Sequence, residues 1–190
     1  MNTEPLPPEL AALRAAFEAQ TEAATALVDG LTERQFAWRP SEGAWSVAEC
    51  IDHLTRSAEL YMPAFDRALA RAPTATPGDR RAYRPSLLGR LMVYSIAPPY
   101  RIRTRTLAPI EPGTVLERET ALRAFERAQR ELVRRVEAGA GRDLGRTRMA
   151  SALSPRLVLN IFDWMRFLEA HERRHLWQAS RLSLAPGWPR

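Results

Sequence analysis

Four positions separate His171 from His175 in a strongly helical stretch. That spacing puts both imidazoles on one helix face, about a turn apart, where they can chelate a single metal ion. The chain holds three histidines in all, and the third, His53, falls near the middle of another helical stretch. In a bundle, a ligand from a facing helix completes such a pair. Three neutral imidazoles suit Zn²⁺, with Ni²⁺ or Fe²⁺ as alternatives. They leave a coordination position open for water or substrate, as in catalytic rather than structural zinc sites. The competing reading is an inert histidine pair on a helix surface. The metal reading gains because both rings lie on the apolar side of their helix, where an unpaired polar ring is costly.

The stretch His171-Glu172-Arg173-Arg174-His175 also spells H-E-x-x-H, the zinc-protease motif. Such proteases usually take a third ligand downstream. None of the fifteen residues after His175 is His, Asp or Glu, so that architecture fails. Glu172 remains the candidate catalytic base, set against a solvated surface glutamate paired with an arginine such as Arg173, the preferred reading. Cys50, three residues before His53, reads as a buried structural thiol. Asp52 reads as a surface charge or a partner of His53. Trp45, Trp164 and Trp177 read as packing residues. No P-loop, G-x-G-x-x-G or G-x-S-x-G motif occurs.

Helical spacing of apolar residues runs through most of the chain. A first helix is expected from Pro8 to Asp29, with Leu10, Leu13, Phe17, Ala24, Leu27 and Leu31 as its stripe. A loop is expected from Thr32 to Trp45. A second helix opens at Ser46, where Ser46 and Glu49 form a capping box. Its stripe is Val47, Cys50, Ile51, Leu54, Ala58, Tyr61, Phe65 and Leu69, and it ends near Arg71 because Pro73 and Pro77 follow. A long proline-rich crossover from Pro73 to Gly113 holds a short helix near Ser86–Ser95 and an extended piece at Tyr100–Thr106. The third long helix is expected from Thr114, with Thr114 and Glu117 as a capping box, and ends at Gly139. The fourth is expected from Ser154, with Pro155 at its first position, closed by Pro186 and Gly187. No sheet is expected. Four long amphipathic helices in one domain, residues 1–190, read as an all-α four-helix bundle.

Composition narrows the classes. Hydrophobic residues make up 45% and charged residues 26% of the 190, which excludes a disordered chain. One cysteine excludes an intramolecular disulfide and a cysteine-rich zinc module. The N-terminus carries no signal-peptide pattern and no apolar run reaches transmembrane length, so a cytoplasmic protein with no membrane partner is expected. The net charge is +6 and every basic residue outside histidine is arginine. These arginines alternate with glutamates and accompany no nucleic-acid signature, so nucleic acid is not an expected partner.

Trp38-Arg39-Pro40, Gly43-Ala44-Trp45-Ser46-Val47-Ala48-Glu49 and Asp52-His53-Leu54 together resemble the W-S-[IV]-x-E…H-L signature of the DinB-like superfamily. The end, His171-Glu172-Arg173-Arg174-His175-Leu176-Trp177-Gln178, resembles that superfamily's terminal H-x-x-x-H helix. The crossover at Pro109–Thr114 is similar to its YfiT-type branch. The resemblance implies an up-down-down-up bundle with a long crossover between the second and third helices. It implies a three-histidine metal site at His53, His171 and His175, and a homodimer. It also implies either a metal-dependent hydrolase or a thiol S-transferase using bacillithiol, mycothiol or glutathione.

Three functions follow. The first is a transferase that binds a low-molecular-weight thiol as thiolate at the metal, with Arg56 and Arg174 as candidates to hold its carboxylates and the segment Leu87–Tyr100 shaping the pocket. The second is hydrolysis by a metal-bound water, with Glu172 or Glu49 as base. The third is a metal-binding stress or interaction protein without turnover.

Overall fold

The computed structural model describes residues 5–76, 78–79, 81–99, 106–113 and 117–190. The described chain is mostly helical, with one small sheet. Helix α1 spans Pro8–Asp29, and a single turn, α2, spans Glu33–Phe36. Helix α3 spans Val47–Arg71, α4 Leu87–Ile96 and α5 Arg118–Ala138. Strands β1 (Arg148–Ala150) and β2 (Val158–Asn160) pair antiparallel, with Met149 opposite Leu159. Helix α6 spans Ile161–Ser180.

Local chemistry sets these boundaries. The Ser46 hydroxyl accepts from Glu49 N while the Glu49 carboxylate accepts from Ser46 N. This capping box satisfies two otherwise orphaned donors and is worth about 1 kcal/mol. Ser86 caps α4 by accepting from Gly89 N. Thr32 and Gln35 form a further capping box, so the expected loop after α1 contains the one-turn α2.

The last helix differs from expectation. It starts at Ile161 with Asn160 as its cap, not at Ser154. Ser154 and Pro155 lie in a turn closed by Leu157 N donating to Ser154 O. Serine followed by proline suits the first two positions of a β-turn as well as a helix start. The turn carries the chain from β1 into β2, so the expectation of no sheet also fails, by one short hairpin. Helix α5 runs from Arg118 to the cap at Gly139. The expected cap at Thr114 and most of the expected extended piece at 100–106 lie outside the described residues.

The apolar stripes meet in two clusters. One joins Leu10, Leu13 and Phe17 of α1 to Phe65 of α3, Leu132 and Val136 of α5, and Trp164 and Leu168 of α6. The other joins Ala24 and Val28 of α1 to Val47, Ile51 and Leu54 of α3, Leu122 and Phe125 of α5, and Leu176 and Ala179 of α6. Each cluster takes one half of every long helix. Between them lies a layer of buried polar side chains: Gln20, His53, Ser57, Gln129, Glu172 and His175. Among the described residues no helix is long and apolar enough to cross a membrane.

Candidate metal centre

Helices α3 and α6 set the histidines in the polar layer. His53 and His175 are buried, and His171 keeps one edge in solvent. One ring nitrogen from each of the three lies within 4.8 Å of the others, close enough for one ion. The Nε2 atoms of His53 and His171 stand 3.0 Å apart. The three rings meet edge to face, with centroids 4.5–4.9 Å apart.

A backbone oxygen fixes the tautomer of His53. Nδ1 lies 2.6 Å from the carbonyl oxygen of Ile110, in a 3-10 turn at Ala108–Ile110. A carbonyl only accepts, so Nδ1 carries the proton and donates it. The lone pair of Nε2 is left facing the other two rings, the usual arrangement behind a metal-binding imidazole. Burial lowers the pKa of all three histidines. For His175 burial, followed by the charges of His53 and Arg174, brings it down to about 3. Neutral rings offer lone pairs at neutral pH. Among the described residues the buried Nδ1 of His175 makes no hydrogen bond of good geometry, and the Gln178 side chain is the polar group beside that ring. The residues therefore fit a divalent ion.

Aromatic rings wall the centre. Trp45 stacks on His175 at 5.5 Å and lies 4.8 Å from His53. Phe167 lies parallel to His171, 6.1 Å away. Trp45 thus does more than pack the core. Its place immediately before the Ser46 cap was the signal that it sits at the mouth of α3. Trp164 is a core residue whose Nε1 donates to Met149 O, and Trp177 lies under the Arg181 guanidinium.

The other candidates go elsewhere. Glu172 is buried rather than solvated, and its neighbour Arg173 pairs with Glu169 instead. Its carboxyl lies beside Gln129 of α5, outside the histidine group, and burial pushes its pKa up to about 8. Glu49 is held by Ser46 and by two bonds from Arg39, at 2.8 and 2.6 Å. Cys50 is fully buried in the second cluster, and burial pushes its thiol well above the ordinary value. Asp52 accepts from Arg56 Nε at 2.8 Å and from Gly113 N at 2.7 Å, so it ties the end of the crossover to α3. Arg56 is half exposed and Arg174 is buried. Among the described residues of the crossover, it is Ile110 that bonds to a site histidine; α4 docks on the first turn of α6, where Ser86 N donates to Asp163.

The family model described as DinB superfamily matches residues 16–179. The chain belongs to the DinB superfamily. The match takes in all three histidines and every long helix except the first turns of α1 and the last residue of α6. Among curated proteins none matches this DinB chain, and among solved structures none does.

Proposed function

We propose that this DinB-superfamily chain is a metal-dependent transferase acting with a low-molecular-weight thiol at His53, His171 and His175. The observation that carries the reading is the convergence of three neutral imidazoles, one with its lone pair aimed inward by Ile110. Zn²⁺ is the ion of first choice for three imidazoles and an open position. When bound, it supplies the positive charge that lowers a thiol's pKa and holds it as thiolate. The chain's own residues do the rest. Trp45 and Phe167 pack against the rings, and Arg56, bonded to Asp52, and Arg174, whose charge acts on all three histidines, are our candidates to meet thiol carboxylates.

Hydrolysis ranks second because it asks for a free base near the ion. Glu49 is committed to its cap and to Arg39, and Glu172 lies beside Gln129. On the same reading, α1, α3, α5 and α6 form the up-down-down-up bundle. What supports this is that the first halves of α1 and α6 share a cluster with the second halves of α3 and α5.

Elemental analysis of untagged protein beside His53→Ala tests the proposal. The expected result is near one metal per chain, lost in the variant while helicity is retained. Thiol-transfer assays across bacillithiol, mycothiol and glutathione follow. Absence of metal after supplying zinc, nickel and iron overturns the reading.

A further inference from the structure

The outward face of α4 is apolar where a solvated helix is charged. Leu87, Leu88, Leu91 and Tyr94 are 83, 48, 62 and 59% exposed. Their spacing puts them on one stripe. Of the six strongly exposed large apolar side chains among the described residues, these are four, so the exposure is concentrated rather than scattered.

The helix cannot roll to bury this stripe. Its opposite side carries Gly89, where an added Cβ would lie 2.1 Å from the Asp163 carboxyl carbon. Ser86 N donates to that same carboxylate at 3.0 Å. Partly buried Met92 packs on the core from that side. Asp163 therefore pins α4 to α6 with the leucines outward.

Charge selects the partner. The sequence has no acidic residue between Asp79 and Glu111, yet seven arginines lie between them. Of these, Arg81, Arg84 and Arg90 are exposed at and around the start of α4. A second copy laid on this face by a two-fold axis would bring the exposed Arg84 and Arg90 of each copy toward those of the other, which opposes association. A nucleic acid would meet the arginines but leave the leucines against phosphate and water. An anionic bilayer meets both, since the three leucines enter the boundary of headgroup and acyl chain while arginine meets lipid phosphate. The ten residues of α4 span only ~15 Å, so such a helix lies on a bilayer rather than across it. The length of apolar runs bears on crossing a membrane, not on resting against one.

We propose that the outward face of α4, with Arg81, Arg84 and Arg90, docks on an anionic phospholipid surface. Flotation of the full chain with mixed phosphatidylcholine–phosphatidylglycerol vesicles tests this, with pure phosphatidylcholine vesicles as reference. The protein is expected to float with the mixed vesicles only, and less as salt is added. Arg90→Gln is expected to weaken binding about fivefold. Leu87→Ser with Leu91→Ser is expected to weaken it roughly tenfold or more. Both leucines are exposed, so circular dichroism of the double variant stays that of the parent. Failure to float with the mixed vesicles overturns the proposal, as does equal flotation with both lipids or undiminished binding by the double variant. Conversion of a dimer to a monomer by the leucine substitutions, read by sedimentation velocity, also overturns it by giving the face to a second copy.

Discussion

Two carboxylates in this chain show how position decides what an acid does. Asp52 stands next to a site histidine in sequence yet spends its oxygens on Arg56 and on Gly113 N. Asp163 is fully buried at the start of α6 and accepts from Ser86 N. Burial raises the pKa of Asp163 above its ordinary value. The folded state thus holds the proton more tightly than the unfolded state. Its contribution to stability is greatest on the acid side and falls as pH rises through the folded pKa, which lies above the ordinary value. Asp163→Asn is expected to remove this slope, read as a flatter dependence of unfolding free energy on pH above 4. Asp163→Ala also strands the Ser86 donor and is expected to cost about 1–3 kcal/mol in urea unfolding. The histidine trio was legible at this scale because the chain holds only three, two of them four apart. The Ile110 carbonyl was not, because a backbone oxygen carries no mark in the residue type.

The helices were legible where a single residue type had one use. Ser46 and Glu49, Ser86, and Gly139 end or begin helices as their chemistry dictates. Ser154-Pro155 fits two local structures, and only the pairing of Met149 with Leu159 selects the turn. Three-residue strands are too short to show an alternating pattern. Among the described residues the crossover joins α3 through two bonds, Ile110 O to His53 and Gly113 N to Asp52. Asp52→Ala is expected to loosen this attachment and weaken metal binding 10- to 100-fold, measured by competition with a chelator, with helicity unchanged. Unchanged affinity would mean that Ile110 holds its place without Asp52.

Across the whole molecule, the polar layer divides an otherwise continuous core. Such a layer costs stability unless its groups find partners. A metal ion that binds the folded chain alone adds RT ln(1 + [L]/Kd), about 2.7 kcal/mol at a hundredfold excess over Kd. For a chain of this length that corresponds to a rise in Tm of roughly 5–10 °C. Thermal melts with and without Zn²⁺ are expected to show this rise in the parent and to lose it in His53→Ala.

His53 and His171 lie 118 residues apart along the chain yet 3.0 Å apart at Nε2. His53 comes from the part before the crossover, and His171 and His175 come from the part after it. Neither part alone can offer three imidazoles to one ion. If a protease cuts the crossover, the two fragments stay joined by helix packing and, once metal is present, by a coordinate bond to each side. Metal would then act as a staple between separate peptides, retarding their exchange in a way that a chelator reverses.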